Sequence, residues 1–434
     1  MATSTVTGFS NGLVDLSSGL ISREIFVNEE IYQQEQEQVF AKGWLLVGHE
    51  SQVSKPGDYF VSCMGEESVI LCRDRESKIH VFLNSCMHRG MKVCRYDEGN
   101  TPVFTCPYHG WSYATDGKLV GVPYFKSAYD EKLDKSQWGL AEVAQSHNYK
   151  GSIWATWDSN APSFKEYMGD MTFYLDQLLD SRDGSEGGAE VIGGVQKWIM
   201  PCNWKFPSEN FAGDGAHNVS HRSVDIAGIG PSGRGRRDDS EYATAKRLHF
   251  AFPELGHCAV GDLHQEDIPY APTYQNNPVA EEYFQHVFEE RRRRLGEKSR
   301  FLAIVGTTFP NMSYLARQPR SISVWHPRGP HQTEAWRWFL VDKDAPKEVK
   351  DILRHYYIRY SGPGGMTEQD DMENWTYAHT ASRGVIARRY PYNYEMGLQF
   401  DKIDVGYPGV TTNEKITEAN ARAFYTKWNL MMGA

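Results

Sequence analysis

The residues whose types and spacing could do chemistry fall into two groups. The first is a repeated pairing of cysteine with histidine: Cys86-Met87-His88 and, seventeen residues on, Cys106-Pro107-Tyr108-His109. A zinc site normally keeps its two cysteines together and its two histidines together. One cysteine and one histidine in each pair suits different chemistry. Two thiolates can hold one iron of a [2Fe–2S] cluster while two imidazoles hold the other, and neutral imidazoles raise the potential above that of an all-cysteine cluster. Gly90, Gly110 and Pro107 allow tight loops around such a cluster. Backbone N–H groups there can donate to sulfides, and Tyr108 and Trp111 can screen the site from water. A zinc ion, or four unrelated residues in a β domain, are the alternatives for this set. Cys94 lies in the same stretch without a partner in the pattern, so it reads as a core thiol.

The second group is His217 and His221, four apart, with Asp370 and Asp371 far downstream in GGMTEQDDMENW. On a helix, residues four apart share a face one turn apart, as chelation requires. Two imidazoles and one carboxylate on one face of an iron leave positions open for dioxygen. A histidine pair at this spacing is by itself more often structural. It gains weight here from the iron–sulfur signature that precedes it. A zinc hydrolase would want a general base of the HExxH kind, which the pair lacks.

These residues need elements to carry them. The 434 residues are 40% hydrophobic and 13% aromatic, enough for a large core and about two to three domains at roughly 150 residues each. Net charge is −10, which does not suit a binder of nucleic acid or of anionic membranes. Mean hydropathy is −0.57, and no run of about 18 apolar residues is present to span a bilayer. The start lacks a basic region followed by an apolar one, so a cytoplasmic protein is expected. Seven cysteines, an odd number in a long chain, point to reduced thiols rather than a disulfide scaffold. Residues 28–42 read as a helix capped by Asn28. From Trp44 to about residue 158 short strands (WLLVGH, DYFVSC, SVILCR, IHVFLN, VFTCPY, SIWATW) alternate with turn signals, which predicts a small antiparallel β domain. Helices are expected over 164–180, 278–300 and 413–431, and strands over 301–305, 321–326 and 335–341. In the 278–300 helix, acids precede Arg291–Arg294, so this basic run reads as a solvated face with Glu-to-Arg pairs. The Gly- and Arg-rich stretch 225–240 reads as a long flexible loop of the kind that serves as a lid.

With both motifs in view, the chain resembles the large (α) subunits of Rieske non-haem iron aromatic ring-hydroxylating dioxygenases, the naphthalene and biphenyl dioxygenase group. The similarity runs from EIF and EIYQQE through CMHRG, CPYHGWSY, the NWK, EN and GD stretch before His217, FPNMSYL, WHPRGP and EQDDMENW. It implies an α+β fold. An antiparallel Rieske domain (43–160) is inserted between an N-terminal helical segment (1–42) and a catalytic domain (161–434) whose antiparallel sheet is flanked by helices, as in a helix-grip fold. It implies Cys86, His88, Cys106 and His109 as cluster ligands, and His217, His221 and Asp371 as ligands of a mononuclear Fe(II), with Asp370 as a hydrogen-bonding neighbour. Family members commonly place four or more residues between the two histidines. Here only Asn218, Val219 and Ser220 intervene, so the turn must tighten or the second ligand rotate.

The resemblance further implies that Asp214 bridges, through its carboxylate, an iron-ligating histidine and His109 of a neighbouring α subunit. Asn210 matches a residue close to the iron, and Phe211 would wall the pocket. The implied partners are a small β subunit in an α3β3 hexamer, a ferredoxin and an NAD(P)H-dependent reductase. The chain itself has no GxGxxG after a strand with which to bind NAD. The implied reaction is cis-dihydroxylation of an aromatic hydrocarbon with O2. Asn218, Arg222 and the arginines Arg234, Arg236 and Arg237 keep an aromatic carboxylate such as phthalate open as substrate, since arginine clamps carboxylates bidentately. A Rieske monooxygenase or demethylase shares the metals. A pure electron-transfer protein would need only about the first 160 residues.

Overall fold

Alternating apolar residues build the first unit, Phe40–Pro162, of a computed structural model that describes residues 12–180, 188–229, 245–264, 270, 274, 276–412 and 416–433. Asp58–Met64 and Glu67–Arg73 pair antiparallel, Ile79–Leu83 joins the second and Glu98–Asn100 the first. Two further antiparallel three-stranded sheets complete the unit: Leu45–His49 with Gln145–Tyr149 and Ser152–Thr156, and Val103–Thr105 with Ser112–Ala114 and Leu119–Gly121. Inward residues of the first sheet and of the sheet over residues 103–121 form one core containing Ile70, Phe82, Phe104 and Tyr113, with Cys94 from the segment that follows Ile79–Leu83. Burial pushes the Cys94 thiol up to about 12, as suits an inert core cysteine.

The second unit joins Met1–Val39 to Ser163–Ala434. Its centre is a seven-stranded antiparallel sheet built from β1 (Ala189–Met200), β2 (Ala245–Phe252), β3 (His257–His264), β4 (Phe301–Thr308), β5 (Met312–Leu315), β6 (Ser321–Pro327) and β7 (Thr333–Asp342). The order across the sheet is β1-β7-β6-β5-β4-β3-β2, so the six strands β2 to β7 form a meander and β1 closes the far edge beside β7. Helix α1 (Lys205–Gly213) packs on β3 and β4, and the C-terminal helix α3 (Ala419–Met431) packs on α1, β2 and β3. Between them in sequence comes α2 (Met366–Ser382). The fold is α+β, as the motifs imply.

One buried network ties the chain's start to this sheet. Asn28 caps the helix Glu29–Glu35 by accepting from the N–H groups of Glu30 and Ile31, and a π turn follows over Gln36–Phe40. The helix delivers Glu35, with no exposure, to α1 and α3. Glu35 Oε1 lies 2.5 Å from Lys205 Nζ and accepts from Trp428 Nε1 at 2.7 Å, while Oε2 accepts from Trp204 Nε1 at 2.9 Å.

Two expectations need correcting. The helix predicted over 278–300 spans Pro278–Leu295 and ends in a 3-10 turn, and its basic run is not all solvated. Arg294 does pair with Glu290 at 2.6 Å, but Arg291 is buried, donating to the carbonyls of Ser299 and Phe301 at 2.6 Å each. Its guanidinium ties this helix to the 3-10 turn and strand that follow it. The supposed loop 225–240 begins inside a helix, Arg222–Ala227, and residues 230–244, with Arg234, Arg236 and Arg237, lie outside the described residues. Among the described residues no helix is long and apolar enough to cross a membrane.

Glu35→Gln strips the buried Lys205 ammonium of its counter-charge. We expect a loss of about 3–5 kcal/mol in chemical denaturation, because an unpaired buried charge is the costly case. The double variant Glu35→Gln with Lys205→Met, which removes the buried charge and keeps an acceptor for the indole N–H groups, should recover part of it.

Candidate metal centres

The two cysteine–histidine pairs sit on turns with the same hydrogen-bond plan. Cys86 N–H donates to Met91 O at 2.8 Å and Gly90 N–H to Cys86 O at 2.8 Å; Cys106 N–H donates to Trp111 O at 2.8 Å and Gly110 N–H to Cys106 O at 3.0 Å. Each turn closes on a glycine four residues after its cysteine, at φ 70° for Gly90 and 75° for Gly110, where other residues are strained. At Gly110 a Cβ would also meet Pro123 Cγ at 2.9 Å. Both thiols are buried while both imidazoles are half-buried. The His88 and His109 ring centroids are 4.6 Å apart, Trp111 stacks on His88 at 5.0 Å, and Tyr108 stacks on His109 at 3.8 Å. Tyr113 Oη lies 3.2 Å from Cys86 Sγ and accepts from Met87 N–H at 3.1 Å. Burial, with His109 and Arg89 nearby, lowers the His88 pKa and favours the neutral ring that ligation needs. His88 Nδ1 is buried and has no hydrogen-bond partner. That orphaned atom and the buried thiols fit a cluster bound from inside.

The second centre starts where α1 ends. Gly213, at φ +135°, lets the chain run close over β3, where a Cβ would stand 2.5 Å from Val260 Cγ2. Asp214 then accepts, through Oδ1, the N–H groups of Ala216 and His217 at 3.1 and 3.2 Å. This carboxylate starts a 3-10 turn, Ala216–His221, which carries both histidines. The expected α-helix is therefore replaced by a tighter winding. With three residues per turn, positions four apart diverge by about 120° rather than 40°. The rings nevertheless converge, with His217 Nε2 3.0 Å from His221 Nε2. Asp371 completes the group from α2, its Oδ1 3.5 Å from His217 Nε2 and 3.3 Å from His221 Nε2.

Donors on metal bonds of about 2.1 Å at right angles stand about 3.0 Å apart, so these separations fit one ion with three neighbouring positions filled. Asp371 Oδ1 is buried and otherwise unpartnered. Among the described residues this is the one group of three or more His, Cys, Asp or Glu whose donor atoms lie within 4.8 Å of one another.

The second nitrogens of the histidines are also held. His217 Nδ1 makes a short hydrogen bond to Asp214 O, so the ring engages the backbone carbonyl and not the carboxylate expected from the resemblance. The carboxylate is committed to the turn itself. His221 Nδ1 faces Asp370 Oδ2 at 3.4 Å, and that oxygen accepts from Ser223 Oγ at 2.8 Å. Asn210 stands in the last turn of α1, where its carbonyl accepts Asp214 N–H at 3.0 Å. Phe211 is buried against Trp325 at 5.3 Å and Trp375 at 6.4 Å, and Trp375 lies one helical turn beyond Asp371. Arg222 is exposed, and the Asn218 side chain lies outside the described residues.

Residues not singled out from sequence complete the surroundings. Glu209, half-buried on α1, accepts from the Tyr394 hydroxyl at 2.9 and 2.8 Å and from the Tyr425 hydroxyl, and the desolvation of its carboxyl pushes it up to about 8. Glu368, on α2, is buried against Arg337 of β7. An EN pair beside a GD turn carries the only hint of Glu209, and nothing local signals Glu368.

Comparison with known proteins decides the family. The profile of the "Rieske [2Fe-2S] domain" matches residues 43–142, and that of the "Ring hydroxylating alpha subunit (catalytic domain)" matches residues 164–434. The chain belongs to the ring-hydroxylating α-subunit family. It is thus an oxidoreductase with a [2Fe–2S] cluster in its first unit and a mononuclear iron in its second. Biphenyl 2,3-dioxygenase subunit alpha of Rhodococcus jostii is 40% identical over 432 residues, 97% of this chain and 90% of the relative. Benzene 1,2-dioxygenase subunit alpha of Pseudomonas putida is 40% identical over 431 residues, 97% of this chain and 92% of the relative. The crystal structure of naphthalene 1,2-dioxygenase from Rhodococcus sp. bound to indole superposes with a TM-score of 0.82 at 34% identity, covering 95% of this chain and 94% of that one.

Asp371→Asn should abolish retention of the mononuclear iron. Asp370→Asn should weaken it by about 10–100-fold, the usual cost of removing a partner that orients a ligand. Iron titration of the two variants, with the cluster spectrum unchanged in both, checks the ranking.

Proposed function

We propose that this chain is the terminal oxygenase subunit that adds both atoms of O2 to an aromatic hydrocarbon ring, giving a cis-dihydrodiol. The observation that carries this reading is the convergence of His217, His221 and Asp371 in the same chain as the two Cys–His turns. When bound, the cluster supplies single electrons and the mononuclear iron supplies the oxygen chemistry. Cys86, Cys106, His88 and His109 would hold the cluster, the buried cysteines and the half-buried histidines both supplying ligands. His217, His221 and Asp371 hold the iron by one face. The Asp214 carbonyl and Asp370 fix the two imidazoles by their outer nitrogens. Phe211, Trp325 and Trp375 form an apolar wall that excludes water and suits an arene.

A hydrocarbon is favoured over an aromatic acid. Arg222 is exposed rather than turned into the aromatic cluster, and the named relatives are dioxygenases of biphenyl and benzene. Relatives called subunit alpha support a small β partner, and an α3β3 hexamer is the assembly we propose with it. Electrons would come from NAD(P)H through a reductase and a ferredoxin. Only Oδ1 of Asp214 caps the turn, and the residue is exposed, which supports a role for its other carboxylate oxygen toward His109 of a neighbouring α subunit.

Reconstitution with a β subunit, ferredoxin, reductase and NADH tests the reading. Biphenyl, benzene and phthalate are offered under isotopically labelled dioxygen. Doubly labelled diols from the hydrocarbons are expected; a singly labelled phenol, or diols from phthalate alone, would overturn it. His221→Ala should keep the cluster spectrum yet lose the mononuclear iron and all turnover. Asp214→Asn should retain both metals while turnover falls by about 10–100-fold; near-normal rates would mean that electrons take another route.

A further inference from the structure

Arg337 of β7 has no exposure, yet every part of its guanidinium is engaged. Nε donates to Ser323 Oγ at 2.8 Å, Nη2 donates to Glu368 Oε1 at 3.1 Å, and Nη1 makes a shorter hydrogen bond to Glu368 Oε2. The guanidinium carbon lies 5.6 Å from the Trp198 ring and 5.7 Å from the Phe211 ring. Glu368 is 2% exposed, so this is a bidentate ion pair wholly inside the unit. Such a pair is a poor device for stability alone, since apolar residues of similar volume often serve as well or better. Its place in the fold gives it another use.

Glu368 precedes Asp371 by three residues on α2, so the two carboxylates are neighbours on one helix face. Burial pushes the Glu368 carboxyl above its usual range, the Arg337 guanidinium opposes this, and the Asp371 carboxylate adds to it. His221 also acts on it, with the opposite sign to Asp371. Glu368 therefore stands within electrostatic reach of two members of the triad. A second carboxylate there is itself a ligand of the type iron accepts. Left unpaired, it would compete for a position that must stay open.

We propose that Arg337 is a positioning residue that holds Glu368 away from the mononuclear iron, keeping the coordination positions opposite the triad vacant. This rests on the triad reading above. The fork geometry is what the task requires: two parallel hydrogen bonds occupy both carboxylate oxygens and fix their plane, which a lysine cannot do.

The test uses the full-length protein loaded with iron under anaerobic conditions and nitric oxide as the probe for an open position. The iron–nitrosyl resonance is read beside the cluster spectrum, which monitors folding. Wild type should give the resonance and His221→Ala should not. Equal signals from those two would sink the triad reading itself, separately from the proposal. Arg337→Gln should keep its mononuclear iron while the nitrosyl signal falls by roughly tenfold or more. Adding Glu368→Gln should restore the signal, which recovery of packing alone would not do. A wild-type signal in Arg337→Gln, or a double variant as blind as the single one, overturns the proposal. If Arg337→Gln fails to fold, Arg337→Lys takes its place: it keeps the charge but loses the fork, so a reduced signal is expected and an undiminished one refutes the assignment.

Discussion

Glu35 is the point on which the catalytic unit hangs. A carboxylate without exposure faces one buried ammonium and two indole N–H groups, and each donor comes from a segment far away in sequence. A buried carboxylate must find such partners or it cannot stay charged. By satisfying it, Trp204 and Lys205 fix where α1 begins, and Trp428 fixes α3 against it. The position of α1 then sets everything downstream: Asn210 and Phe211 on its last turn, the tight passage of Gly213 over β3, and Asp214 at the start of the histidine turn. The placement of the two histidines is thus inherited from an ion pair that touches neither of them.

Along α2 the usual order of an amphipathic helix is inverted. Its buried face carries Glu368, Asp371, Trp375, His379 and Ser382, spaced three or four apart. Most of these are polar, and each polar side chain has a partner: Glu368 meets Arg337, Asp371 the histidines, His379 Nε2 meets His331 at 3.0 Å, and Ser382 donates to the carbonyl of Ala378 at 2.9 Å. A helix that buries charge in this way is positioned by directional bonds as much as by apolar contact, and directional bonds are what a ligand carboxylate needs around it.

This inversion also explains what could be read beforehand. The Cys–His turns were legible because ligand chemistry and tight turns leave local marks: a cysteine, a histidine and a glycine within five residues. The strands of the first unit were legible from their alternation, and the helix after Asn28 from its cap. In the second unit the metal-binding pair was visible, but its winding was not. Three intervening residues are compatible with an α-turn or a 3-10 turn, and the choice falls to Asp214, whose carboxylate caps the backbone instead of meeting the imidazole. The strands Ala189–Met200, Ala245–Phe252 and His257–His264 escaped notice because they mix glycine, lysine and histidine with apolar residues, and their pairing is non-local. Helix α2 escaped because its polar buried stripe mimics a surface. Arg291 was misplaced for a related reason: four arginines in a row look alike in sequence, and only the fold brings one of them to the carbonyls of Ser299 and Phe301.

The insertion of Phe40–Pro162 into the other unit has a consequence in time. All four cluster-binding side chains lie between Cys86 and His109, inside a unit whose residues are contiguous. Glu35 and Trp428 are 393 residues apart, and the three converging donors of the second centre span His217 to Asp371. In order of synthesis, every residue of the iron–sulfur unit exists before Trp204, Lys205 and Trp428, so that unit can close on contacts of its own while Glu35 still lacks its partners.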